Sequence, residues 1–204
     1  MYKTLRLIYI FTILTFALPG FTKDQIVKFD CESNKSLNSI IAKANSGTVI
    51  NIQGNCQGPV YIDKDGITLD GQGTAILEGN HDNNLLQGIL IIDQARKITI
   101  RNLSVKSGKS HGILVTRNSS VDLINITVEE NAQNGIFVMQ NSTIHLENAL
   151  ARDNGNYGIA VIQNSSAAIR GNILAINNAN SGILLADNAM ADVHDSNIHV
   201  KGNL

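Results

Sequence analysis

The sequence contains no tryptophan, and charged side chains make up only 16% of it, for a net charge of -1. A chain so evenly balanced has no electrostatic bias toward nucleic acid. It has two cysteines, Cys31 and Cys56, too far apart for a CxxC redox or zinc motif. The apolar run Leu7 to Leu18 has twelve residues, against the roughly 20 that a membrane-spanning helix needs. With Lys3 and Arg6 before it and Pro19-Gly20-Phe21-Thr22 after it, this run reads as a secretory signal over residues 1–22. No cysteine stands where a lipoprotein signal needs one. The expected mature chain is therefore periplasmic or extracellular, without a membrane span. Asparagine supplies the polarity that charge does not, which suits a chain with many tight turns. The 204 residues, 43% of them hydrophobic, suffice for one domain.

One short phrase recurs: His111-Gly112-Ile113-Leu114-Val115, Asn134-Gly135-Ile136-Phe137-Val138, Tyr157-Gly158-Ile159-Ala160-Val161 and Ser181-Gly182-Ile183-Leu184-Leu185. Gly88 and Gly66 extend it backwards, giving glycine spacings of 22, 24, 23, 23 and 24. So regular a period is the mark of a solenoid. Asn118, Asn141, Asn164 and Asn188 form a second register, and Asn102, Asn125, Asn148, Asn172 and Asn197 a third. Between them lie short segments of alternating apolar residues, so each coil is expected to hold three short strands and three turns. Asparagine tolerates the left-handed region, and its amide can bond the equivalent asparagine one coil away. With coils about 4.8 Å apart, Ile89, Ile113, Ile136, Ile159 and Ile183 would form one inward aliphatic ladder.

These residues resemble the right-handed parallel β-helix of the pectate-lyase-like superfamily, and within it bacterial repeat proteins carrying Asn-Gly-Ile phrases. The resemblance covers about residues 48–204 and implies an all-β fold, a single-stranded solenoid of six to seven coils. A leucine-rich repeat has a similar period, but its Leu-x-x-Leu-x-Leu signature is absent.

Residues 23–47 read as an N-terminal capping segment. Leu37, Ile40, Ile41 and Ala44 share one helical face, with Gly47 as a stop, and such a helix covers the core that a first coil exposes. Export would place Cys31 and Cys56 in an oxidising compartment, where they are expected to form a disulfide. Strands are expected at 49–52, 60–62, 67–69 and 75–77, and an irregular loop at 79–84. Nothing at the far end reads as a cap. An open edge, cover by another chain, or a shortened chain are the alternatives.

Family enzymes work on the outer face of the sheet that matches the Gly-Ile-x-Val strands. Here its outward positions are expected to be Leu90 and Ile92, Leu114 and Thr116, Phe137 and Met139, Ala160 and Ile162, and Leu184 and Ala186. That face is aliphatic and uncharged, and an apolar patch above about 300 Å² usually marks a contact surface. Leu114, Phe137, Met139, Ile162 and Leu184 are the candidate binding residues, for a polysaccharide, a protein or a second copy of the chain. Polar candidates lie in the preceding turns. The resemblance implies that a lyase or epimerase would use a His or Tyr base and a cation that neutralises a uronate carboxylate, which nominates His111, Tyr157, Arg152 and Asp153. Other family signatures match incompletely: no clustered aspartates for calcium, Ser110-His111-Gly112 in place of Gly-His-Gly, and Asp192-Val193-His194-Asp195 in place of Asp-Pro-His-Asp. The histidines share no column, so neither a metal nor a cofactor is expected. Asn102, Asn118, Asn125, Asn141 and Asn164 fall in glycosylation sequons, which the turn chemistry already explains. The leading reading is a non-catalytic binding protein, and its rival is a polysaccharide lyase or uronan epimerase.

Overall fold

The computed structural model describes residues 25–79 and 88–204. The expected signal over 1–22, and all of the expected irregular loop but Gly79, lie outside these residues. Strand β1 (Ile26–Asp30) is followed by helix α1 (Leu37–Lys43), β2 (Val49–Gln53), β3 (Asn55–Gln57), β4 (Val60–Ile62) and β5 (Thr68–Glu78). The coils proper continue with β6 (Gly88–Asp93), β7 (Ile98–Lys106), β8 (His111–Thr116), β9 (Ser120–Glu129), β10 (Ile136–Val138) and β11 (Thr143–Arg152). They end with β12 (Ile159–Val161), β13 (Ser166–Ile176), β14 (Ile183–Leu185) and β15 (Met190–Lys201). All pairings are parallel and build two sheets. Long strands stack in the order β1-β2-β5-β7-β9-β11-β13-β15, with β3 also on β5, and short strands in the order β14-β12-β10-β8-β6-β4. This is a parallel β-solenoid of about seven turns.

Two of the three strands expected per coil run together as one bent strand. In β9, Val121 and Leu123 are buried, and so are Ile126 and Val128, one residue out of phase. The phase slips at Asn125, whose φ of 54° turns the chain through a corner so that both halves face inward. Asn102 and Asn148 make the same corner, with φ of 55° and 52°. Their amides form an exposed ladder, Asn125 Nδ2 donating to Asn102 Oδ1 at 2.9 Å and Asn148 Nδ2 to Asn125 Oδ1 at 3.3 Å. Asn172 departs from the expected column. β13 holds an extra residue, so Gly171 takes the corner (φ 65°) and Asn172 reaches Asn148 Oδ1 through its backbone N–H. Asn118, Asn141, Asn164 and Asn188 hold the other exposed turn, all at φ between 56° and 62°. The serines after the first three are buried and form their own ladder: Ser142 Oγ accepts the Ser119 N–H, and Ser165 Oγ the Ser142 N–H.

The main polar spine of the molecule is a fourth column that the repeat reading missed. Asn131, Asn154 and Asn178 are each no more than 2% exposed. Asn131 Nδ2 donates to Asn154 Oδ1, Asn154 Nδ2 to Asn178 Oδ1 and Asn178 Nδ2 to Asn203 Oδ1, each at 2.9 Å. This spine explains the repeated glycine. A Cβ on Gly158 would lie 2.8 Å from Asn178 Nδ2 and 2.6 Å from the Gly182 carbonyl, and Gly135 is hemmed in the same way by Asn154 and Gly158.

At the N-terminal end, α1 buries Leu37 and Ile41 against the core. Asn38 acts as a substitute strand: its Nδ2 donates to the Pro59 carbonyl at 2.8 Å and its Oδ1 accepts the Tyr61 N–H at 2.9 Å, occupying the edge of β4. β1 was not foreseen as a strand. It adds to the edge of β2, and the Cys31–Cys56 disulfide ties the chain just after it to β3. Reducing that bond, which spans 25 residues, should lower stability by about 3 kcal/mol, read from urea midpoints with and without reductant. An unchanged midpoint would mean that β1 and α1 are held by packing alone.

Candidate functional site

The short-strand sheet carries the expected outward face, but with a corrected register. Gly88 pairs with His111 rather than with Gly112, and Leu90 pairs with Ile113. The inward ladder is therefore Val60, Leu90, Ile113, Ile136, Ile159 and Ile183, without Ile89. Leu90 and Ile92 point inward and are fully buried. The outward column reads Tyr61, Ile91, Leu114, Phe137, Ala160 and Leu184. The same shift places a charge on the face, since Asp93 pairs with Thr116 and is itself held by Arg117.

This face is less open than a row of outward aliphatics suggests. Leu114 is 2% exposed, Ala160 1% and Ile91 7%, while Phe137, Met139, Ile162 and Leu184 are half-buried. Stacked strands place each outward side chain about 4.8 Å from the next, so a column of large residues shields its own interior members. The large apolar side chains left in water lie mostly in the last coil: Leu185, Met190, Val193, Ile198, Val200 and Leu204.

His111 borders this face, its ring 4.6 Å from that of Phe137 between centroids and tilted by 44°. Its Nδ1 accepts the Asn134 N–H at 3.3 Å, so the neutral tautomer carries its proton on Nε2. Burial pushes the imidazole down from an ordinary value near 6.5 to about 4. Asn134 in turn accepts the Tyr157 N–H at 3.2 Å, so His111 and Tyr157 share a column with one coil between them. The unfolded chain binds the His111 proton more readily than the native chain, so this group's contribution is complete above pH 6.5 and is lost as pH falls toward 4. Wild type should therefore lose more stability between pH 7 and pH 5 than His111→Gln, in paired urea titrations. Equal losses would mean that the ring is solvated enough to titrate normally.

Arg152 is the last residue of long strand β11, and Asp153 follows it. Arg152 pairs with Glu129 at 2.5 Å and approaches Asp153 at 4.0 Å. The hydrogen bond to Glu129 and its negative charge raise the guanidinium pKa further. The pair belongs to a column of alternating charge, Glu78, Lys106, Glu129 and Arg152, on successive coils. Among the described residues, no hydrogen bond or ion pair joins His111 or Tyr157 directly to Arg152 or Asp153. Nor does any group of three or more His, Cys, Asp or Glu side chains converge there as a metal site would.

A second polar cluster escaped the sequence reading. Asp70, 3% exposed, accepts from Arg101 Nε at 2.6 Å, from Asn102 Nδ2 at 3.1 Å and from the Gln72 N–H at 2.9 Å. Desolvation pushes its carboxyl up, but these hydrogen bonds and the Arg101 charge outweigh it and hold the pKa below the ordinary value. The visible signal was Asp70-Gly71-Gln72-Gly73, which stands where the next coil has Arg101-Asn102.

No helix among the described residues is long and apolar enough to cross a membrane. No curated protein and no solved structure matches the chain. A family described as "Right handed beta helix region" matches residues 65–204, well over half of the sequence. With its stacked parallel coils, the chain belongs to this right-handed β-helix family.

Proposed function

We propose that this is an exported, non-catalytic β-helix protein that binds a glycan or a protein partner through the outer face of its short-strand sheet, at the cell surface or in the periplasm. The observation that carries the proposal is the chemistry of that face. Phe137, Met139, Ile162 and Leu184 offer half-buried apolar contact, and its carboxylate, Asp93, is neutralised by Arg117. A lyase or epimerase needs an available base beside a cation free to meet a uronate. Here Nδ1 of His111 is engaged by a backbone N–H, and Arg152 is engaged by Glu129. The disulfide supports export, since such bonds persist in oxidising compartments.

The test is affinity electrophoresis against a panel of polysaccharides, together with an assay for unsaturated uronate on pectate and alginate. Retardation that Phe137→Ser abolishes, without turnover, is the expected result. Turnover lost in both His111→Ala and Tyr157→Phe would overturn the proposal in favour of a lyase or epimerase.

A further inference from the structure

A groove of about 430 Å³ lies on the long-strand sheet near its N-terminal edge, lined by residues 28–30 of β1, 51–53 of β2, and Gln72 and Thr74 of β5. It lies where the repeat breaks. β2 pairs with β5 only as far as Asp70, and β5 resumes its pairing with β7 at Ala75. The four residues between, Gly71 to Thr74, stand where β7, β9 and β11 each have a single asparagine, and Gln72 and Gly73 are both left-handed, at φ 53° and 79°. Gln72, Gly73 and Thr74 are exposed, and Gln72 and Thr74 form one wall of the groove beside Asn51 and Gln53. Asp70 beneath them is fixed by Arg101, Asn102 and the Gln72 N–H, so the wall rests on a rigid base.

The lining chemistry is specific. Asn51, Gln53 and Gln72 carry carboxamides and Thr74 a hydroxyl, groups that both donate and accept and so match the hydroxyls of a sugar; Gln53 Nε2 already donates to Asp30 Oδ2 at 3.2 Å, which leaves its carbonyl oxygen to accept. Lys28 and Asp30 cancel in charge, which removes any preference for an anion. Asn51 Oδ1 is buried without a hydrogen-bond partner. Such a group costs free energy that is recovered if the amide turns toward a bound hydroxyl. The volume falls within the range of about 300–1,000 Å³ that small ligands occupy.

We propose that this groove is a binding site for a short, neutral saccharide of one or two sugar units, distinct from the short-strand face. The inference shares with the functional reading only the idea that the protein meets glycans, and it holds or fails separately. Amide chemical shifts of the disulfide-bonded protein would be followed during titration with maltose, cellobiose and diacetylchitobiose, with digalacturonate as the anionic control. At least one neutral disaccharide should give saturable shifts confined to residues 28–30, 51–53 and 70–74. Gln72→Ala combined with Thr74→Ala, both on the exposed wall, should weaken binding about tenfold or more, while Phe137→Ser leaves it unchanged. Three results would overturn the groove: no shifts up to the solubility limit, binding that survives the double substitution, or tighter binding of digalacturonate. Shifts confined to the column from Ile91 to Leu184 would also overturn it, but would leave the functional reading standing.

Discussion

Replacing Asn154 with alanine is expected to cost about 3–5 kcal/mol of folding stability. Asn154 is 1% exposed and is the middle link of the buried spine. Its Oδ1 accepts both the backbone N–H and the Nδ2 of Asn131, and its Nδ2 donates to the Val128 carbonyl and to Asn178 Oδ1. The substitution therefore strips partners from groups on two neighbouring coils at once. Each buried orphan costs about 1–3 kcal/mol, and local relaxation keeps the sum below the simple total. The exposed column provides the control. Asn125→Gly removes two amide links but keeps a residue suited to φ 54°, and water replaces the lost bonds, so the change should stay within about 1 kcal/mol. Urea unfolding of both variants decides the matter. A loss below about 1 kcal/mol for Asn154→Ala would mean that water fills the gap and that the spine does not hold the coils.

This contrast also shows what the sequence could and could not reveal. The period was legible because the Gly-Ile phrase and the exposed asparagines each serve every coil in the same way. The buried spine was not, because Asn131 and Asn134 stand close together in one turn and only packing tells them apart. Asn131 is matched by Asn154 and Asn178, whereas the column of Asn134 reads His111, Asn134, Tyr157 and Ser181, side chains of unlike chemistry. The reason for the glycine was hidden for the same cause, since it lies in the amide of the next coil rather than in the turn itself.

The register error at Gly88 has a different origin. Matching glycine to glycine is sound while each glycine holds the same place in its coil, but Gly88 falls opposite His111, one residue before Gly112. One residue of slip exchanges the two faces of a strand, which turned Leu90 and Ile92 inward and brought Asp93 onto the outer face. The shared column of His111 and Tyr157 was legible from spacing, but the commitment of Arg152 to Glu129 depends on strand pairing that no single coil displays.

The two ends of the stack should differ most in their dynamics. At the N-terminal end, α1 buries Leu37 and Ile41, Asn38 fills the edge of β4, and the disulfide fastens the chain after β1 to β3. In the 204-residue chain, β15 is the terminal strand of its sheet, and Val193, Ile198 and Val200, which continue inward columns of the core, are 48%, 38% and 50% exposed. Stability in a solenoid is nearly a sum over neighbouring coils, so a coil with one neighbour opens first. Amide exchange is therefore expected to be fast from about Asp192 onward and slow between Leu90 and Val161. A gap of about 4 kcal/mol in opening free energy corresponds to roughly a thousandfold in rate. The measurement is hydrogen exchange at two protein concentrations with sedimentation in parallel. Protection of β15 that rises with concentration would show a second copy covering the edge. Uniform protection in a monomer would contradict the prediction outright, because none of the described contacts of β15 supplies a second neighbour.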